Sequence, residues 1–464
     1  MQNHRDIWRA QYQIVPAQLQ KVAVVGTVAT AFNCNIDAVV KLSGAQISAL
    51  AAQFGLSAED ALNCSPKLEQ PRDVVCGIIK CFVKGIAEEW LAEDAAIYRW
   101  MAENLGYDRL QMGGQGGIVA NVAALLGVQN VVVHTASLPA MQAAQFLDLP
   151  NLFGLDESGK AVPAGQINRL GEVPLVHQII EFAKDDEIRL GGQSYKCPKA
   201  NRFIATYDPA NMALKIDNGF VHYINAAGFD YLILSGYHNL TAANGGLARI
   251  EATLPLIKDW KRRFPNGMIH LELASTQDKA VRAAIIEKIA PLVDSIGLNE
   301  REALDVLEVI DSEKFAALHA ADLNAAELFE MVRLIKQKTR TPRVQLHMFG
   351  LYMTLQDKGW RITPAQNRNG MMLAATVAAS KAGLGQLETA ADLLWAHGQE
   401  VGEKSLQELR ILAQHVDSAT LEMTGMASVE EFDLIAVPTI IVEQPKTLVG
   451  MGDTISSVSL IGAR

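Results

Sequence analysis

The chain has 464 residues, 49% of them hydrophobic, which is enough for more than one ordinary core and excludes a collagen-like or globally disordered protein. Its 41 Lys and Arg against 51 Asp and Glu give a formal net charge of -10, so no broad basic field favours nucleic acid. No apolar run reaches the ~20 residues of a membrane helix, Met1–Gln20 lacks the apolar segment of a secretory signal, and five dispersed cysteines form no CxxC pair or zinc-like cluster; a cytoplasmic protein with reduced thiols and no membrane partner is expected.

In chain order, Lys21–Val25 (KVAVV) reads as a buried strand. The segment Gly26–Asp37 (GTVATAFNCNID) follows, and its Asn33, Asn35 and Asp37 offer the directed donors and acceptors that sugar hydroxyls require. The same residues also suit an Asx-rich turn. Gln53–Tyr107 is richer in charges and helix formers. Within it GIAEEW sets Glu88 beside Glu89, so that one could reach a sugar hydroxyl while the other faces solvent. Gly113–Asn121 (GGQGGIVAN) is a permissive loop that could bring main-chain N–H groups to a hydroxyl, and it differs too far from GxGxxG to indicate a dinucleotide fold.

A strand at Val131–Val133 precedes a second irregular region, Leu152–Val221, punctuated by Gly and Pro and containing the patches Val176–Phe182 and Asn201–Thr206. Lys184, Lys196, Lys199 and Arg202 make it basic, and the Arg202 guanidinium suits a phosphate. Short apolar runs then recur at Tyr231–Leu234, Met268–Leu273, Ser295–Leu298, Val344–Phe349 and Leu434–Val437. Helical patterns at Leu247–Trp260, Lys279–Ile289 and Met371–Ala382 separate many of them. Such alternation predicts an α/β fold with a mainly parallel sheet covered by helices, and ligands beyond the carboxyl ends of its strands. The expected division is a large unit of residues 1–37, 108–151 and 222–464 and a smaller discontinuous α/β lid of residues 38–107 and 152–221.

Three later motifs carry chemistry. His270–Ala274 (HLELA) places His270 and Glu272 on one side of a strand, and GLNERE makes Asn299 and Glu302 neighbours on a helical turn. Two carboxylates approaching strand ends could hold magnesium, directly or through water; a structural histidine with surface carboxylates would look the same. In Thr447–Ser457 (TLVGMGDTISS), Gly450 and Gly452 bracket Met451 and Asp453 follows. The glycines permit close approach of phosphate to helix-terminal N–H groups, and Asp453 can take a hydroxyl proton or simply cap the helix. GxxxxGK with Ser or Thr, GxSxG and HExxH are all absent, which disfavours P-loop transfer, elbow hydrolases and zincins.

Taken together, NCNID, MGGQGGIVAN, ANRFIATYD, LSGYHNL, HLELAS, GLNERE and VGMGDTISS resemble, in this order and over most of the chain, the ADP-dependent glucokinase and phosphofructokinase family of the ribokinase-like superfamily. The resemblance implies a large nucleotide-binding domain, a smaller sugar-binding lid, and magnesium-assisted transfer of the ADP β-phosphoryl group to a sugar hydroxyl with release of AMP. It implies Asp453 as catalytic base, the backbone of Gly450, Met451 and Gly452 as anion hole, and Glu272, Glu302 and Asp453 around the metal with Asn299 in support. It further implies Asn35, Asp37, Gly114 and Gln115 at the sugar. The basic stretch around Arg202 points to fructose 6-phosphate as acceptor, whereas Glu88 or Glu89 would serve glucose; an enzyme using both, or a sensor that binds without transfer, are the other readings. The number of subunits is not encoded in these motifs.

Overall fold

The computed structural model describes residues 4–92, 94–319 and 323–464. Two sheets organise them. The large sheet has eleven strands in the order Met426–Val429, Phe432–Pro438, Leu351–Asp357, Arg343–Met348, Ser295–Leu298, Met268–Glu272, Tyr231–Leu234, Thr27–Ala31, Asn130–Val133, Leu152–Leu155 and Ala161–Pro163. Its strands from Arg343–Met348 to Leu152–Leu155 run parallel. Antiparallel strands complete both edges, so the sheet is mixed rather than parallel throughout. Tyr231–Leu234 and Ser295–Leu298 are buried along their whole length. Crossover helices cover both faces of such strands, which is why they read as unbroken apolar runs.

The small sheet has five strands in the order Glu88–Leu91, Asn201–Tyr207, Val176–Phe182, Asn35–Lys41 and Arg109–Gly113. One face packs on its own core of Ile78, Phe82, Trp90, Phe182 and Phe203. The other face looks away from that core.

Several sequence expectations shift. Lys21–Val25 is no strand: the helix Val15–Val22, begun by Pro16 in its first turn, runs into it, and the first strand starts at Thr27. Proline supplies a preset φ at a helix start, and that signal outweighs a short apolar run. Leu152–Leu155 and Ala161–Pro163 join the edge of the large sheet, not the small one, while Asn35–Lys41 and Arg109–Gly113 belong to the small sheet on both sides of the expected boundaries. Sheet membership depends on hydrogen-bond partners remote in sequence, which local composition does not report. Among the described residues no helix is long and apolar enough to cross a membrane.

Two helices on one side of the large sheet pack closely together. Pro364–Leu384 and the C-terminal helix Met451–Ile461 lie against one another. They approach so closely at Gly370 that a Cβ there would stand 2.2 Å from the Ser459 carbonyl oxygen. Gly370→Ala is therefore expected to destabilise the protein by about 1–3 kcal/mol through overpacking. Calorimetric unfolding checks this, and an unchanged melting temperature would show that the helices can part freely.

Candidate active site

The C-terminal helix begins at Gly450, whose φ of +61° is left-handed. A Cβ on Gly450 would also come within 2.5 Å of the Ile118 side-chain tip, which would have to move aside, so the left-handed φ is the stronger reason for glycine here. The first N–H groups of this helix have no intrahelical partner and form an anion-binding end. Asp453 sits in that first turn. Burial raises the pKa of its carboxyl, while the Lys381 charge and a hydrogen bond from Gln115 act in the opposite direction. A carboxylate made more basic in this way, beside an anion cradle, is equipped to take a proton from an attacking hydroxyl.

Glu272 ends the strand Met268–Glu272, and Glu302 lies in the first turn of the helix Glu300–Ile310. Asn299 caps that helix reciprocally with Glu302, whose two carboxylate oxygens accept from the Asn299 backbone N–H at 2.8 Å and its side-chain amide at 3.0 Å. Burial, then the charges of Asp453 and Glu302, push Glu272 well above the usual carboxylate range. Burial pushes Glu302 up to about 8, with hydrogen bonding at Asn299 opposing it and the Asp453 charge adding to it. The Asp453 charge raises both glutamates and Glu302 raises Glu272, a concentration of negative charge that fits a divalent cation, which would relieve the repulsion. Among the described residues no three His, Cys, Asp or Glu side chains are gathered closely enough to ligate an ion directly, so the fit is to one held partly through water.

A buried chain of hydrogen bonds supports Glu272. Arg343, fully buried, donates to Ser295 Oγ at 2.9 Å; Ser295 Oγ lies 2.9 Å from His270 Nδ1; His270 Nε2 lies 3.0 Å from Glu272 Oε2. Burial holds the pKa of His270 well below its ordinary value. A neutral ring with its proton on Nε2 donates to Glu272 and accepts from Ser295, so every link is satisfied.

The second half of the candidate site lies on the face of the small sheet turned away from that sheet's own core, where Asp37, His177 and Thr206 are buried. Asp37, Gln111, His177 and Thr206 are successive cross-strand partners and therefore share that face. Glu89 joins them: its Oε1 accepts from Thr206 Oγ1 at 2.7 Å and lies 3.8 Å from His177 Nδ1. His177 Nε2 meets the fully buried Asp208 at 3.1 Å. Burial lowers the pKa of His177, but Asp208, Glu89 and Asp37 more than offset this and leave it raised. Burial raises Asp37 to about 6, against the opposing charge of His177 and the 3.0 Å hydrogen bond from Asn35. Gly113 makes room: a Cβ there would collide with Asp37 Oδ1 at 2.1 Å and Asn35 Nδ2 at 2.4 Å. Gly114 then caps the helix Gln115–Leu125, and the Gln115 side chain reaches Leu273 O and Asp453.

Arg202 stands on the same face, two cross-strand rows beyond Thr206, opposite Glu181. Arg109 and Lys41 complete that outer row or lie beside it, with Arg109 paired to Glu181 at 3.3 Å. Glu88 points the other way, where Lys80 at 3.1 Å and the Trp90 indole at 2.8 Å hold it. Trp90 is buried and two residues on, so strand alternation alone would have assigned Glu88 to the core side and Glu89 to the open face. Lys184, Lys196 and Lys199 are solvent-exposed, Lys196 on a separate two-stranded ribbon, and do not extend this row. His177, His347 and Lys381 were not marked by any motif, and His238 lies in LSGYHNL without being singled out by it. His238 feels the charges of Glu89, His177 and Asp208. His347 approaches Ser456 at 3.4 Å and would touch a Cβ on Gly452 at 2.7 Å.

The family model described as the ADP-specific phosphofructokinase/glucokinase conserved region matches residues 26–462. An ADP-dependent glucose/glucosamine kinase of Pyrococcus abyssi is 29% identical over 469 residues, 98% of either chain. An ADP-specific phosphofructokinase of Methanosarcina acetivorans is 28% identical over 449 residues, covering 93% of this chain and 91% of that one. Among solved structures, an ADP-dependent kinase in complex with fructose-6-phosphate and ADPβS superimposes with a TM-score of 0.84 at 26% identity, over 98% of this chain and 97% of the other.

The raised Asp37 fixes a sign for stability. Its folded pKa of about 6 exceeds the ordinary 3.8, so the ligand-free folded chain binds more protons than the unfolded one between those values. Its ionisation therefore lowers stability as pH rises through that window. Asp37→Asn is expected to raise the melting temperature of the ligand-free protein at pH 7 and to have little effect at pH 4. An equal shift at both pH values, or none at pH 7, would contradict the burial of an ionised Asp37.

Proposed function

The chain belongs to the ADP-specific phosphofructokinase/glucokinase family, and from that premise we propose that it phosphorylates a neutral hexose, glucose or a close relative, with ADP as donor and AMP as the leaving product. The observation that carries this reading is Glu89, held by Thr206 on the same face as Asp37. Two carboxylates can accept hydrogen bonds from several hydroxyls of one sugar, and charge-assisted bonds of that kind are the strong ones. The same pair repels a phosphorylated acceptor wherever its phosphate comes near.

Asp453 accepts the proton of the sugar hydroxyl as its oxygen bonds to the β-phosphorus. The bond from that phosphorus to the bridging oxygen breaks, and AMP departs with the electron pair. The N–H groups at Gly450, Met451 and Gly452 meet the charge that develops on the transferring oxygens. Asp37, Asn35, Gln115 and Glu89 orient the sugar, and the small sheet over it keeps competing water out. Glu272 and Glu302, with Asn299 fixing the latter, would hold magnesium through water; the ion supplies neutralisation of phosphate charge.

Fructose 6-phosphate is the second reading, and Arg202 favours it. The acidic pole at Asp37 and Glu89 gives way along the same face to Arg202, Arg109 and Lys41. A sugar whose existing phosphate lies remote from the reacting hydroxyl could place it at that outer row.

The test is AMP formation from ADP with each acceptor. Glu89→Gln is expected to raise the KM for glucose by about 10- to 100-fold while sparing fructose 6-phosphate, the loss of one charge-assisted hydrogen bond. Arg202→Ala should affect only fructose 6-phosphate. Efficient use of fructose 6-phosphate alone would reverse the choice of acceptor, and stoichiometric sugar binding without AMP would make the protein a sensor. Asp453→Asn should keep its fold and lose at least about 100-fold in kcat; near-normal turnover would remove Asp453 from its role.

A further inference from the structure

Lys381 belongs to none of the sequence motifs, yet it reaches the anion-binding turn from behind. It lies in the last turn of the helix Pro364–Leu384. Its Nζ donates to the Gly450 carbonyl at 3.1 Å and to Thr454 Oγ1 at 3.2 Å. Thr454 Oγ1 donates to the same carbonyl at 2.8 Å. The Gly450 oxygen thus collects two side-chain donors in addition to the Thr454 backbone N–H at 3.2 Å.

The peptide plane gives this contact a consequence. The Gly450 carbonyl and the Met451 N–H belong to one rigid planar unit and point in opposite directions. Whatever fixes the oxygen also fixes the N–H. Gly450 is a glycine at φ +61°, a backbone free to turn unless something holds it. Lys381 is itself delivered rigidly. The two helices are locked at Gly370, and the loop before the turn is strapped to the helix end by the Lys446 N–H on the Ala382 carbonyl at 2.7 Å. Lys381 also lines a cavity of about 410 Å³ together with Ile118, Val122 and Val449, while its ammonium donates to the Gly450 carbonyl and Thr454.

We propose that Lys381 is a positioning residue for phosphoryl transfer: by holding the Gly450 carbonyl it aims the Met451 N–H of the anion cradle at the transferring group. The inference rests on the ADP-dependent kinase reading above. Its effect falls on the transfer step, through the aimed N–H and, by its charge, through Asp453, a second route that Thr454→Val leaves untouched; it therefore falls on kcat and leaves sugar affinity alone.

Lys381→Met keeps the stem and removes the donor. The folded variant, verified by calorimetric unfolding, is expected to lose about 10- to 100-fold in kcat with the glucose KM within about threefold of wild type. Lys381→Arg, which retains a donor, should recover part of the loss. Thr454→Val removes the other side-chain donor to the same oxygen and should show the same split to a smaller degree; it carries the test if Lys381→Met does not fold. A folded Lys381→Met with wild-type kcat, or with a loss confined to KM, would overturn the inference, as would a Thr454→Val of unchanged kcat where that variant carries the test. A wild-type protein that forms no AMP from ADP with either acceptor overturns the kinase reading and this inference with it, whereas an active wild type with an indifferent Lys381→Met overturns the inference alone.

Discussion

Gathering the buried Glu272 and Glu302 beside the half-buried Asp453 is the constraint to which much of the large sheet answers. Glu272, Glu302 and Asp453 each have their pKa raised by desolvation, and their mutual repulsion adds to it at the two glutamates. An isolated buried charge is costly unless its lone pairs are occupied. Here they are occupied by structure: Asn299 chelates Glu302, and the chain from Arg343 through Ser295 and His270 ends on Glu272. Arg343 is in turn tied to Gln345, Asn367 and Ser459. The polar interior of the sheet is thereby connected to the C-terminal helix that carries Asp453. Burial lowers even this arginine to about 9, with the Glu272 charge resisting. Such a network leaves the carboxylates rigid but electrostatically unsatisfied, the condition in which a divalent cation binds well.

The small sheet answers the opposite need. Its inner face is ordinary core, but its outer face bears Asp37, Glu89, His177 and Thr206 in consecutive strands. The strand Asn35–Lys41 follows closely on the large-sheet strand Thr27–Ala31, so Asn35 and Asp37 are joined to the carboxyl ends of the large sheet by three residues of chain, Phe32, Asn33 and Cys34. Gln115 spans the same gap, touching Leu273 O and Asp453 from the loop that also frames Asp37. The two halves of the candidate site are thus joined through short, buried connections.

The fold class was legible in the alternation of apolar runs and helical patterns, and GMGDT, HLELA and GLNERE each gather their candidate residues within a few consecutive positions, because a helix start or a strand end is itself local. Glu89 was legible in principle through its alternation with buried Trp90, since a four-residue strand still obeys a period of two. His177, Lys381 and Arg343 were not, because each meets its partners only after strands and helices far apart in sequence have packed. Arg343 opens an apolar strand and Lys381 ends a long helix, positions where a lone cation ordinarily reads as surface charge. The domain limits slipped for a related reason: the chain crosses between the two sheets several times, and Leu152–Leu155 pairs with Asn130–Val133 whatever its local composition suggests.

The most direct measurement is a crystal structure of the closed complex with magnesium, a non-transferring ADP analogue and glucose. The Asp453 carboxylate is expected within hydrogen-bond reach, about 2.6–3.2 Å, of one primary hydroxyl of the sugar, with that oxygen facing the β-phosphorus. An Asp453 side chain turned away from the sugar, with no water linking the two, would contradict proton transfer by this residue.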